Sequence, residues 1–217
     1  QRFDATTLQL SGQPQPLVEQ VNVNPIGASS YSVSDDGVLV YLSGGAQSQL
    51  TWFDRSGKLL SLVGAINYNS NISLSPDEKR VAVATWDPQT SNRDIWIIDS
   101  ARTTSTRFSF NGAEDFLPIW SPDGGNILFL SDRSGFGNLF EKTTSGSANE
   151  EEILKTEERI CSSDWSKDGQ YVAFTSASPT TRLDLWVLPM FGDRKPIAFL
   201  QTSFNEDGPR FSPDGHF

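Results

Sequence analysis

Serine hydrolase chemistry needs an imidazole to take the nucleophile's proton, and this chain has a single histidine, His216, directly after a turn glycine. No Gly-x-Ser-x-Gly elbow accompanies it, so a solvated strand-entry position accounts for it. A structural zinc site wants about four Cys or His ligands, and the chain has one of each. Cys161, the sole cysteine, cannot form an internal disulfide and is expected to be a small buried hydrophobe at the start of a strand. No glycine-rich phosphate loop follows an apolar strand, and no contiguous calcium loop occurs. Paired carboxylates are what remains, because glycoside hydrolysis runs on two acids. The candidates are Glu114, Asp115, Asp164, Glu206 and Asp207. The run Glu150-Glu151-Glu152 with Glu157-Glu158 is most simply a solvated loop and edge. The reading is therefore of a protein with no catalytic group, no metal and no cofactor.

The elements that position these residues are set by a repeat. Ser34-Asp35-Asp36-Gly37, Ser75-Pro76-Asp77-Glu78, Ser121-Pro122-Asp123-Gly124, Ser166-Lys167-Asp168-Gly169 and Ser212-Pro213-Asp214-Gly215 share one turn pattern, with serines 41, 46, 45 and 46 residues apart. Proline presets φ, aspartate bonds to nearby amides, and glycine accepts positive φ. Short strands rich in β-branched and aromatic residues fill the intervals, such as Val81-Ala82-Val83-Ala84 and Asp94-Ile95-Trp96-Ile97-Ile98-Asp99. Four strands in about 45 residues make one propeller blade. The fold class predicted is all-β: a β-propeller fragment of four-stranded antiparallel blades at 24–66, 67–112, 113–157 and 158–203, with partial blades at 1–23 and 204–217. Pro14 to Gln20 is expected to be an outer strand without its early partners. The recurring tryptophans Trp52, Trp96 and Trp186 read as core. Both ends read as cut, so missing strands of a parent polypeptide are expected as partners of this piece.

Strict alternation in the innermost strands splits their residues into two faces. Val33/Tyr31, Leu74/Ile72, Trp120/Pro118, Trp165/Ser163 and Phe211/Pro209 should pack between blades, with Trp120 and Trp165 largely buried. Ser32/Ser30, Ser73/Asn71, Ile119/Leu117, Asp164/Ser162 and Arg210/Gly208 should line the central channel. The predicted partner-binding funnel and rim therefore comprise Asn71, Ser73, Glu114, Asp115, Asp164, Glu206, Asp207 and Arg210.

The element Trp120-Ser121-Pro122-Asp123-Gly124, followed by an apolar strand and Ser131-Asp132-Arg133-Ser134-Gly135, resembles the propeller repeat of the periplasmic translocation protein TolB. Leu50-Thr51-Trp52-Phe53-Asp54-Arg55-Ser56-Gly57-Lys58, Arg93-Asp94-Ile95-Trp96, Asp184-Leu185-Trp186-Val187-Leu188-Pro189 and Gly192-Asp193-Arg194-Lys195-Pro196 resemble more closely the propellers joined to bacterial membrane-anchored serine/threonine kinases. Glu78 stands where glycine is expected, and Asp35 where proline is. The resemblance implies an extracytoplasmic or periplasmic sensor or interaction module that binds a protein or peptide. The alternative is the accessory propeller of a prolyl-oligopeptidase-type serine peptidase. With 27 acidic against 17 basic residues the net charge is −10, which disfavours nucleic acid and anionic membrane surfaces. No apolar run reaches the ~20 residues needed to cross a bilayer as a helix, so no direct membrane insertion is expected.

Overall fold

A computed structural model of the chain describes residues 2–4, 9–13, 31–33, 39–43, 47–135, 137–146, 149–212 and 214. The turn at Ser34 to Gly37, the outer strand expected at Pro14 to Gln20, and His216 lie outside these residues. All regular structure among the described residues is β, as predicted, in four four-stranded antiparallel sheets and one two-stranded hairpin. The hairpin pairs β1 (Arg2–Asp4) with β2 (Gln9–Ser11).

Each sheet is a meander of consecutive strands. The first holds β3 (Tyr31–Val33), β4 (Leu39–Ser43), β5 (Ser48–Phe53) and β6 (Leu59–Asn67), and the second β7 (Asn69–Leu74), β8 (Arg80–Asp87), β9 (Asn92–Asp99) and β10 (Ser105–Arg107). The third holds β11 (Asp115–Trp120), β12 (Asn126–Ser131), β13 (Asn138–Thr143) and β14 (Glu151–Leu154). The fourth holds β15 (Arg159–Trp165), β16 (Tyr171–Ser178), β17 (Arg182–Pro189) and β18 (Ile197–Leu200). Ahead of the fifth copy of the turn, Gln201 to Ser212 carry no ladder pairing.

The repeated turn is one hydrogen-bonded unit. In the third sheet, Ser121 Oγ donates to Asp123 Oδ1 at 2.5 Å and accepts from Asn126 N at 2.9 Å, while Gly125 N donates to the same aspartate oxygen at 2.9 Å. Ser75 and Ser166 repeat the pattern with Asp77 and Asp168. Gly124 and Gly169 take φ of 70° and 75°, and Glu78 occupies the same left-handed position at 59°. The turn geometry therefore survives without its glycine, at the strain a side chain meets there.

Two apolar clusters lie between sheets, not within them. Val40, Leu50, Trp52 and Val63 of the first sheet meet Val81, Val83 and Ile98 of the second. A larger cluster joins the second, third and fourth sheets through Ile95, Phe108, Trp120, Phe129, Phe140, Ile160, Phe174 and Leu188. Trp96 and Trp186 are only partly buried against these clusters, whereas Trp52 is a core residue. Trp120 is 6% exposed, and its Nε1 donates to Ser73 O of the preceding sheet at 3.0 Å. Trp165 is less deeply covered than Trp120: it is half-buried and donates to Gly169 O of its own turn at 3.2 Å.

Candidate functional site

The inner strands do not alternate strictly, and this decides where the candidate residues go. Three of them are bulged in their upstream half: register shifts fall between Ser70 and Ile72 in β7, between Phe116 and Ile119 in β11, and between Ile160 and Ser162 in β15. Asn71 and Leu117, each four residues before its turn serine, have φ of 44° and 51°, and Gly208, four before Ser212, has 68°. A bulge adds one residue and turns everything upstream onto the other face.

Downstream of the bulge the predicted split holds only in part, because Val33, Leu74, Trp120, Trp165 and Phe211, which alternation assigns to the face between blades, line the channel as well. The first three inner strands of the described sheets, β15 and the segment 210–212 together wall a cavity of about 760 Å³ at the turn end of the propeller axis. Ser32, Ser73, Ile119, Asp164 and Arg210, each two residues before a turn serine, all line it. Asn71, predicted to share this wall with Ser73, does not: as the bulge residue it falls out of the alternation.

Upstream of the bulge the predicted acidic rim dissolves into structural contacts. Asp115 pairs with Ser131, which lies on the same sheet face as Ile127, the partner of Trp120. It is therefore on the inter-sheet face, fully buried, and not at an open rim. Arg133 Nη2 meets it at 3.2 Å and Asn111 Nδ2 donates to it at 2.5 Å. Arg133 also binds Glu150 and lies 4.2 Å from the Phe140 ring centroid. Lys142 Nζ reaches the other Glu150 oxygen at 3.2 Å and donates to Phe108 O at 2.6 Å. Glu206 is held by the Thr202 hydroxyl, and its amide donates to Leu183 O at 2.8 Å. Glu114 is half-buried and its carbonyl accepts from Asp132 N, while Asp207 is exposed and its carboxylate accepts from Gly208 N. The structure thus brings Asp164 and Arg210 together and separates them from Asp115 and Glu206.

Asp115 sits in a cross-strand row of buried polar side chains with Ser131 and Asn138 of its own sheet, and Asn69, Thr85 and Asp94 form the matching row in the second. In the fourth sheet Ile160 takes the first place in the row, and Asp184 Oδ1 is left buried without a hydrogen-bond partner. Cys161 is half-buried, not fully so as expected, because it sits at the bulge of β15. Burial still pushes its thiol pKa up, away from the reactive thiolate.

Asp164 does two things in the channel. Its Oδ2 accepts from Phe211 N at 2.7 Å, latching the fifth copy to the fourth sheet. Ser32 Oγ plays the same part for Leu74 N at 3.2 Å, three sheets earlier. Oδ1 faces Arg210 Nη1 at 3.9 Å. Sequence reasoning missed that the turns themselves reach the channel: Pro76, Glu78, Pro122 and Lys167 line it, as do Trp120 and Trp165. The recurrence of the turn was the available signal, but it was fully explained by turn chemistry.

The carboxyls divide by environment. Bonds from the turn serines, above all, hold Asp77, Asp123 and Asp168 below the usual carboxylate range. Burial raises Asp115 despite Ser131, Ser109, Arg133 and Asn111, and raises Asp164 despite the Phe211 amide and Arg210. A raised folded-state pKa gives stability that is complete below the unfolded pKa and lost as pH rises through the folded one. Asp164→Asn keeps an oxygen for the Phe211 amide, so it should be more stable than the parent at neutral pH. The gap should close as pH falls below about 4, where an unfolded aspartate is protonated. Urea unfolding at several pH values checks this; a gap that widens on acidification contradicts it. The turn aspartates act with the opposite sign, their contribution being lost as pH falls through their lowered values.

The family model of the TolB beta propeller domain matches residues 30–217. The Tol-Pal system protein TolB of Francisella tularensis subsp. tularensis (strain WY96-3418) is 30% identical over 173 residues, covering 78% of this chain and 39% of that protein. The chain thus spans about two fifths of the length of this curated relative. TolB from Acinetobacter baumannii superposes with a TM-score of 0.71 at 20% identity, over 86% of this chain and 46% of that one. A structure assigned to TolB of Agrobacterium tumefaciens gives 0.68 at 22% identity, over 90% and 74%. These two superpositions speak for the fold. Taken with the repeat, the four meander sheets and the family match over most of its length, this chain belongs to the TolB beta-propeller domain family.

Proposed function

We propose that this chain is a non-catalytic module that binds a protein or peptide partner in the turn-end channel. The observation that carries the reading is the channel itself, about 760 Å³, walled by both charged and aromatic side chains from successive sheets. A concave site of this size with a few convergent polar groups suits a ligand segment. The acids that glycoside hydrolysis would need are committed elsewhere: Asp115 to Arg133, Glu206 to Thr202, and Asp164 to the Phe211 amide. The relatives are named for a multiprotein system, Tol-Pal, which favours a protein over a small-molecule partner. Among the described residues no helix is long and apolar enough to cross a membrane. An extracytoplasmic setting, as the sensor part of a kinase-like protein, is the narrower reading; the motifs Leu50 to Lys58 and Asp184 to Pro189 support it.

Selection of a random peptide library on the immobilised chain tests the binding reading. Peptides should be enriched, and Ser73→Trp, which fills the channel from its wall, should lose them while keeping its melting temperature. Enrichment that Ser73→Trp leaves untouched would move the site elsewhere. The purified chain should also turn over no peptide, ester or glycoside substrate. Turnover abolished by Asp164→Asn would make it an enzyme.

A further inference from the structure

The channel has no dominant sign. Of the charged side chains on its wall, Glu78 and Asp164 are acidic and Lys167 and Arg210 basic. A free cation or anion therefore gains little from the field of the wall as a whole. What the wall does offer is one acceptor and one donor group side by side.

Both groups are fixed in place by other bonds. Asp164 is tied through Oδ2 to Phe211 N at 2.7 Å. Arg210 Nη1 donates to Ser163 O at 3.2 Å and to Pro209 O at 3.3 Å. Between them, Oδ1 and Nη1 stand 3.9 Å apart, too far for a direct hydrogen bond. The Arg210 side chain is 69% exposed, and a guanidinium has five N–H donors, more than these bonds use. The pair is thus pre-positioned but not mutually satisfied.

Resting on the binding reading above, we propose that this pair recognises the primary carboxamide of an asparagine or glutamine side chain in the partner. A carboxamide presents an N–H donor and a C=O acceptor on one edge, matching the carboxylate and the guanidinium together. A trans backbone peptide unit points its N–H and C=O in opposite directions and cannot meet both from one side. A lysine or arginine in the partner gains Asp164 but opposes Arg210, and an acidic residue does the reverse. Apolar side chains on the same cavity wall, Ile119 and Trp165 among them, accept the methylene stem of the incoming side chain.

The test uses peptides enriched from the random library against the full chain. Their shared residue should be glutamine or asparagine. In the tightest binder, replacing that residue with glutamate, lysine or leucine should weaken binding at least about tenfold, as expected for loss of hydrogen bonds to charged groups. Arg210→Met, a change at an exposed side chain, should weaken the parent peptide by a similar factor and remove its preference over the leucine variant. Enriched peptides with a basic or acidic consensus, or an Arg210→Met variant that binds as tightly as the parent, overturn the carboxamide assignment and leave the binding reading standing. A library that yields no enriched peptide overturns the binding reading, and this inference with it.

Discussion

Arg133→Ala is expected to destabilise the chain by about 3–5 kcal/mol, the cost of leaving one member of a buried ion pair uncompensated. Arg133 is the cation of fully buried Asp115 and also holds Glu150. Its guanidinium fills the space beside the Phe129 and Phe140 rings, at 5.7 and 4.2 Å from their centroids. Removing it strands a carboxylate that burial already disfavours in its charged form. For a chain of this length the melting temperature should fall by roughly 10 °C. Replacing both partners should be far milder, because an apolar pair of similar volume carries no buried charge. Thermal melts of Arg133→Ala, Asp115→Asn and an Asp115→Leu/Arg133→Met double variant check this; a double variant worse than Arg133→Ala would show that the pair contributes net attraction.

Trp120→Ala should cost about as much, ~3–5 kcal/mol, the range for deleting a buried large aromatic. The ring is 6% exposed between the second and third sheets, under the Arg80 guanidinium at 4.5 Å from its centroid. Its Nε1 also ties it across that junction, donating to Ser73 O. Trp165→Ala should cost clearly less, since its ring is half-buried and its Nε1 bonds within its own turn. Urea unfolding of the two variants side by side is the check, and equal losses would contradict the difference in their surroundings.

These two tryptophans show what could be read in advance. Their identical place before the repeated turn put them on one face of the inner strand, and the pairing of Trp120 with Ile127 and of Trp165 with Val172 agrees. How deeply each is covered depends on what the neighbouring sheet offers, and alternation carries no such information. The period and turn chemistry were enough for the four sheets, and the turns of the second, third and fourth are each closed by their own serine and aspartate. The candidate site was legible only downstream of the bulges. Ser73, Asp164 and Arg210 are on the channel wall where alternation put them. Asn71 and Asp115 are not, since a positive φ at Asn71 and Leu117 shifts the register and neither residue is a glycine that would announce it. The buried network of Asp115, Arg133, Glu150 and Lys142 was also invisible, because its members come from four separate segments of the third repeat.

Hydrogen exchange of the full chain with and without a bound peptide from the library tests the central claim most directly. Binding in the channel predicts added protection at Ile72 to Leu74, Ile119 to Trp120, Asp164 to Trp165 and Arg210 to Ser212, with the outer strands Leu59–Asn67 and Ile197–Leu200 unchanged. Protection confined to those exposed outer strands, with the channel segments unaffected, would contradict it.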